Sequence, residues 1–298
     1  MFQFPRVIAI ILTWNQKEDT LRCLRSFRVV EYPNLLVILV DNGSNDGTRR
    51  AVKEEFPEVQ IIANPVNAGV AGGRNIGIDF ARKHLAYDYL LFIDNDTVVT
   101  RDFLRTLVQA LEANPSAGIA TPKVHLLDND GIIDNAGGGL VNFYTGRTFP
   151  RGHGEVDRGQ YDGLETPPCF PAGISLVRRA VIEKCQGFDL AFNPYGPEDL
   201  DFSLRAKAHG FTFRFVPKAL VYHRGTKSGF KGYSPEYAAI KGRNLRRFMK
   251  RHATWYQWLC FNALLPVLGL RTIAREIARG NVKAPFHLIR GYWRANRK

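Results

Sequence analysis

Cysteine is scarce in this 298-residue chain, and the four present (Cys23, Cys169, Cys185 and Cys260) form no Cys-x-x-Cys pair. That scatter argues against a structural zinc site and suits a reducing compartment. A membrane-spanning run of about 20 apolar residues is also missing. The nearest candidate, residues 255–270, is interrupted by Gln257, Asn262 and Pro266. The N-terminus lacks the basic stretch, apolar core and small-residue cleavage site of an export signal, so the chain reads as cytoplasmic. Internal repeats and low-complexity linkers are absent. So are the Gly-x-Gly-x-x-Gly and Gly-x-x-x-x-Gly-Lys-[Ser/Thr] phosphate loops. Acidic residues nearly vanish from the last quarter: residues 224–298 hold 17 Lys and Arg against 2 Asp and Glu.

What remains is a globular composition, 45% hydrophobic and 23% charged, with length enough for one large domain or two smaller ones. The net charge of +13 belongs to that last quarter, since residues 1–223 carry 24 basic and 26 acidic side chains. Such a segment should meet something anionic: lipid headgroups, a phosphate-bearing substrate or nucleic acid.

Short apolar runs at 7–12, 35–40, 59–63 and 90–93 have strand length and alternate with helical patterns. One helix carries Leu21, Leu24 and Phe27; another, capped by Thr100, carries Phe103, Leu104, Leu107 and Leu111. The alternation predicts an α/β fold, with a mostly parallel central sheet flanked by helices. Ligands bind such sheets at the carboxyl ends of the strands. Residues 125–165 lose periodicity and read as a long functional loop. Strand candidates return at 169–177, 211–216 and 219–223, with a helix from Arg179.

The run 90–93 ends in Asp94-Asn95-Asp96. Alternation along a strand would point both carboxylates one way, and two such groups invite a hard divalent cation. The bland alternative is a polar turn capping the next helix. In Gly196-Pro197-Glu198-Asp199-Leu200-Asp201, Pro197 suits a first helical position. The helix dipole there favours ionised carboxylates, so Asp199 is a candidate general base. Asp201 stands four residues before Arg205 and reads as a helix ion pair. His223 ends a strand and is a candidate metal ligand. The segment 67–75 is Gly-rich and leads into a helix; its backbone and Arg74 could approach a phosphate, or it is simply a tight connection.

Together these residues resemble the inverting family 2 glycosyltransferases of the GT-A fold, over roughly residues 6–225. The pieces that carry the resemblance occur in family order: Leu12-Thr13-Trp14-Asn15, Val40–Thr48 with Asp41, Phe92-Ile93-Asp94-Asn95-Asp96, and Gly196–Asp201. The resemblance implies nucleotide binding by Thr13, Asn15, Asp41, Asn67, Gly69, Arg74, Asp94 and Asn95. It implies Mg²⁺ or Mn²⁺ held by Asp94, Asp96 and His223, a sugar and acceptor site at Gly173 and Glu198, and Asp199 as the base. The Gln-x-x-Arg-Trp motif of the processive synthases is absent, which implies single transfer. The implied partners are a nucleoside-diphosphate sugar, with dTDP-rhamnose as first choice and UDP-GlcNAc, UDP-galactose or UDP-glucose as alternatives, and a lipid-linked or polysaccharide acceptor.

The domain reading places a catalytic unit at 1–234, with a nucleotide-binding half to 115, and a basic helical extension at 235–298. Residues 255–270, with Trp255, Tyr256 and Trp258, read as an interfacial anchor on the inner face of the cell membrane. The competing readings are helices docked on the catalytic unit and a homo-oligomer contact. A nucleic-acid binder would fit the charge, but no nucleic-acid module is recognisable, so no nucleic acid is expected. A non-catalytic nucleotide-sugar-binding protein would need a defect at the metal or base positions, and none is seen.

Overall fold

The computed structural model describes residues 4–164, 173–225, 234–278 and 280–294. In chain order the strands are β1 (Val7–Thr13), β2 (Leu35–Asp41), β3 (Gln60–Ala63), β4 (Tyr89–Asp94), β5 (Thr97–Val99), β6 (Ala117–Leu126), β7 (Asn129–Ala136), β8 (Gly139–Asn142), β9 (Arg147–Pro150), β10 (Ser175–Arg178) and β11 (Thr212–His223). The helices are α1 (Lys17–Phe27), α2 (Thr48–Glu55), α3 (Gly69–His84), α4 (Phe103–Glu112), α5 (Arg179–Cys185), α6 (Glu198–Ala208), α7 (Pro235–His252), α8 (Trp255–Ala278) and α9 (Ala284–Arg294).

The central sheet runs β3-β2-β1-β4-β10-β6-β11-β5, with β7 paired to β6. Strands β3, β2, β1 and β4 are parallel, as their apolar runs predict. Beyond β4 the sheet is mixed: β10 is antiparallel to both β4 and β6, β11 is parallel to β6, and β5 is antiparallel to β11. Helices cover both faces. Leu21, Leu24 and Phe27 of α1 pack with Phe103, Leu104 and Leu107 of α4 on one side. Ile78 and Ala81 of α3, Ile182 of α5 and Phe202 of α6 pack on the other.

Three local expectations change. The Gly-rich segment is helical from Gly69 onward. Glycine is needed there for contact: a β-carbon on Gly77 would lie 2.6 Å from Ile10 Cγ2, and one on Gly73 would strike Leu12. Thr100 does not cap α4; its hydroxyl donates to the Leu220 carbonyl of β11 at 2.7 Å. The stretch 125–165, expected as loop, supplies the end of β6, then β7, β8 and β9. Their alternation is weak because β9 is exposed and β7 carries only Ile132, Ile133 and Ala136 among polar residues and glycine, leaving no apolar face to read. The strand expected at 169–177 starts outside the described residues and is seen as β10 from Ser175.

The C-terminal helices build a third core. Phe248 and Met249 of α7, Phe261 of α8 and Tyr292 of α9 surround Phe192 and Leu200. Helices α7 and α9 approach closely because both present glycine. A β-carbon on Gly242 would collide with the Leu288 carbonyl, and one on Gly291 with that of Ala239. No described helix is long and apolar enough to cross a membrane. Helix α8 nevertheless leaves Trp255, Leu259 and Leu270 exposed, and α9 leaves Phe286 exposed.

Candidate active site

Strand β4 ends at Asp94, the chain turns through Asn95-Asp96, and β5 begins at Thr97. The turn breaks the alternation expected of Asp94 and Asp96, and the two carboxylates take different partners. Strand β5 pairs with the end of β11, with Thr97 opposite His223. This register sets His223 Nε2 3.2 Å from Asp96 Oδ1. The other ring nitrogen, Nδ1, lies 2.9 Å from Asp134 Oδ2 on β7. Burial opposes charge on the ring, but Asp134 and Asp96 overcome it and push His223 up to about 10.

Asp94 instead receives Arg74 Nη2 on its Oδ1 at 2.9 Å. The Arg74 guanidinium is buried and also lies 3.9 Å from Glu198. Glu198 and Asp199 open α6, directly after Pro197. Asp199 is held from two sides: Gly173 N–H donates to Oδ2 at 3.2 Å, and Leu200 N–H donates to Oδ1 at 2.7 Å. Glu198 Oε2 accepts from Gly196 N–H at 2.9 Å. Burial raises both acids. Glu198, further raised by the neighbouring Asp199, reaches about 8. Arg74 and the Gly173 and Leu200 N–H groups pull the other way on Asp199. Gly173 must be small, since a β-carbon there would sit 2.7 Å from Asp94 Oδ2.

The residues expected at the nucleotide form a connected floor beside β1 and β2. Thr13 is buried and hydrogen-bonded to Thr20 at 2.7 Å, and the Asn95 amide donates to both hydroxyls. The Asn95 side chain thus ties β1 to the turn after β4. Asp41 is buried, accepts from Ser44 N–H at 3.1 Å and pairs with Arg49 at 3.0 Å. Asn15 Oδ1 accepts from Asn45 N–H at 2.8 Å. Asn67 Oδ1 caps Gly69 N–H at 2.8 Å. The centre of this network is Asn42, which sequence reasoning passed over. Its amide donates to Asn67 and to the Gly69 carbonyl, and its oxygen accepts from Asn64 and Ala68.

A cleft of about 350 Å³ gathers Arg74, Asp94, Asp134, Glu198, Asp199 and His223 along its walls. A second, of about 480 Å³, starts from the same Asp199 and runs between α7 and the β8–β9 hairpin. Among the described residues no three His, Cys, Asp or Glu side chains alone form a metal-holding group. The donor chemistry still fits a hard cation once the His223 ring gives up a proton to it. Asp96 and His223 would then offer an oxygen and a nitrogen side by side, and Mg²⁺ or Mn²⁺ commonly completes its shell with substrate phosphates.

A sheet of this order, with acids from strand and helix ends facing one cleft, is what the resemblance to the GT-A class of sugar-transferring enzymes leads one to expect. The family model described as "Glycosyltransferase like family 2" matches residues 5–250, and the chain belongs to that family of glycosyltransferases. It is 24% identical to the N-acetylglucosaminyl-diphospho-decaprenol L-rhamnosyltransferase of Mycobacterium tuberculosis, over 95% of this chain and 97% of that one. It is 26% identical to the poly-beta-1,6-N-acetyl-D-glucosamine synthase of Staphylococcus epidermidis over 44% of this chain, and spans 31% of that relative's length. Among solved structures, the fold is similar to the mannosyltransferase PcManGT of Pyrobaculum calidifontis, in complex with GDP-Man and Mn²⁺. The TM-score is 0.59 at 16% identity, covering 98% of this chain and 87% of that one. It is also similar to GalNAc-T7 with UDP, GalNAc and Mn²⁺, with a TM-score of 0.63 at 16% identity over 83% of this chain and 48% of that one. At that identity the likeness concerns the fold.

Proposed function

We propose that the chain transfers one sugar, rhamnose from dTDP-rhamnose, to the sugar of a lipid-linked acceptor in cell-surface glycan synthesis, with inversion at the anomeric carbon. The observation that carries the reading is that Asp94, His223 and Asp199 line one cleft of about 350 Å³, although they come from β4, β11 and α6. The choice of sugar and acceptor rests on the mycobacterial rhamnosyltransferase, which aligns along nearly the whole of both chains.

Thr13, Asn15, Asp41, Asn67 and Gly69 form the nucleotide floor, and Arg74 holds Asp94 toward the ribose and diphosphate side. Asp96 and His223 would hold Mg²⁺ or Mn²⁺, with Asp94 beside them. Bound there, the ion would neutralise the charge that develops on the leaving diphosphate. Asp199, fixed by Gly173 and Leu200, takes the proton from the acceptor hydroxyl as that oxygen attacks the anomeric carbon. Attack comes from the face opposite the diphosphate, so one displacement inverts the centre without a covalent enzyme intermediate. Glu198 and Gly173 border the sugar. Residues 1–234 do this chemistry, and the basic extension 235–298 keeps the enzyme peripheral on the inner face of the membrane, near its lipid-linked substrate.

Thermal-shift screening against dTDP, UDP and GDP, with and without Mn²⁺, tests the donor. Stabilisation by dTDP that grows with Mn²⁺ supports it, and stabilisation by UDP alone discards rhamnose. The product's anomeric configuration, read by NMR, tests inversion; retention would end the Asp199 mechanism.

A further inference from the structure

Helix α7 contributes to two clefts. On one flank, the cleft that begins at Asp199 is lined by Lys241 and by the Tyr195 and Tyr237 rings, stacked 5.0 Å apart at 21°. Stacked aromatic faces suit the C–H face of a sugar ring, and a lysine at that depth suits a phosphate. On the other flank, α7, α8 and α9 enclose a groove of about 630 Å³ whose walls are carbon: Leu265, Pro266, Leu270, Ile273 and Ile289 among them. Leu245 lines both clefts. The two clefts therefore meet at one side chain, with Asp199 and Lys241 in the first.

We propose that the two clefts form a single acceptor channel, with the acceptor's long isoprenoid or alkyl chain in the α7–α8–α9 groove, its phosphates at the α7 crest and its terminal sugar at Asp199. The placement rests on the lipid-linked acceptor named under Proposed function and says where that molecule lies.

Three further observations support this occupant. First, α7 brings cationic groups that suit a diphosphate: Lys241 lines the first cleft and Arg246 and Lys250 stand on the same helix, whereas Arg243, Arg247 and Arg251 are engaged by the Asn193 and Ala191 carbonyls and by Asp189 and Asp201. The Arg246 guanidinium lies 4.8 Å from Tyr292 and 5.3 Å from Trp293, and its Nε and Nη1 are buried without a hydrogen-bond partner. Second, the volume falls in the range of pockets that hold extended small ligands, about 300–1,000 Å³. Third, the rim continues into exposed apolar side chains, with Trp255 76%, Phe286 69% and Leu270 66% accessible. A lipid tail leaving the groove meets these first, and a bilayer surface lies beyond them.

Gly269 provides a probe. It lines the groove, and a β-carbon there meets nothing within 4 Å. A side chain at 269 therefore starts in open space, and Gly269→Phe is placed to occupy the groove. The test uses the full chain, dTDP-rhamnose, and two GlcNAc-diphosphate acceptors that differ only in carrying a long isoprenoid or a short alkyl tail. Gly269→Phe should raise KM for the long-tailed acceptor about tenfold, the worth of roughly two buried methylenes. It should leave the short-tailed acceptor unchanged, with Gly269→Ala matching wild type for both. Equal effects on both acceptors, or none, overturn the channel. A change in sedimentation coefficient with unaltered kinetics also overturns it, since the groove would then seat a second copy. Trp293 lines the groove, so its fluorescence on titration with polyprenyl diphosphate reads occupancy without turnover. If wild type transfers to neither acceptor but Gly269→Phe abolishes this fluorescence change, the assigned activity fails and the groove stands. If the fluorescence change is absent in wild type, the groove fails.

Discussion

Asp134 Oδ2 lies 2.9 Å from His223 Nδ1, and it is this contact that turns the opposite ring nitrogen toward Asp96. A carboxylate behind a histidine fixes the ring's orientation and tautomer, and removing such a partner commonly costs ten- to a hundredfold in metal affinity (about 1–3 kcal/mol). We expect Asp134→Asn to weaken Mn²⁺-dependent donor binding by about tenfold while metal-independent nucleotide binding is unchanged. Isothermal titration of the nucleoside diphosphate with and without Mn²⁺ checks this. Chelation should reduce wild type to the metal-free affinity.

Asp199 should dominate the pH profile. Burial raises it, and Arg74 and two backbone N–H groups lower it. The base must be ionised, so activity is lost as pH falls through a pKa above the ordinary carboxylate range. The rising limb of kcat/KM should therefore lie nearer neutrality than that of an exposed aspartate. Arg74→Met removes the opposing charge and should move the limb to higher pH. Asp199→Asn should lose about 10²–10⁴-fold in transfer with donor affinity kept. An acidic shift in Arg74→Met would reverse the sign argued here.

Glu198 makes a stability prediction. Its folded pKa of about 8 exceeds that of an unfolded glutamate, so between those values the folded state holds a proton that the unfolded state has released. Its favourable contribution is complete below the unfolded pKa and is lost as pH rises toward 8. Glu198→Gln removes that loss, so its unfolding free energy should gain on wild type as pH goes from 5 to 8, by on the order of 1–3 kcal/mol, read by denaturant unfolding at the two pH values. A difference independent of pH would contradict this.

Asp201 joins α6 to α7. It is fully buried, pairs with Arg205 at 2.8 Å as the sequence spacing predicts, and also takes Arg251 and His252 at 2.8 Å each. Burial opposes its charge, but hydrogen bonds from His252, Arg251 and Arg205 hold it down at about 2. The stabilisation is present above the ordinary aspartate pKa of ~4 and disappears as pH falls toward 2. Asp201→Asn should destabilise the protein by about 3 kcal/mol at neutral pH, with the deficit shrinking in acid. Denaturant unfolding at two pH values measures it.

Gly291→Ala should lift α9 from α7, because the new methyl has no room against the Ala239 carbonyl. The expected cost is about 1–3 kcal/mol, as for overpacking generally. Faster hydrogen exchange across 284–294, with 7–40 unaffected, would locate the damage; uniform exchange would place it elsewhere.

The apolar runs announced β1, β2 and β4, because strands buried on both faces must be apolar throughout. Asp199 at a helix start and His223 at a strand end were legible from position and residue type. Asp134 was not, since β7 is mostly polar and shows no alternation. Asn42 was hidden for another reason: in a loop of turn-forming residues, a network centre looks like any other polar neighbour. The diverging directions of Asp94 and Asp96 depended on a turn at Asn95-Asp96 that follows from β5 joining β11, a pairing between remote parts of the chain.

That pairing also has a temporal meaning. His223 sits at the end of the last strand, and β5 has no sheet neighbour other than β11 among the described residues. While the chain is being synthesised, Asp96 waits without its companion until nearly three quarters of the polypeptide has emerged. The proposed nucleotide residues all lie within the first 95 positions, whereas the proposed cation site needs His223, so its pairing with Asp96 can form only after β11 has emerged.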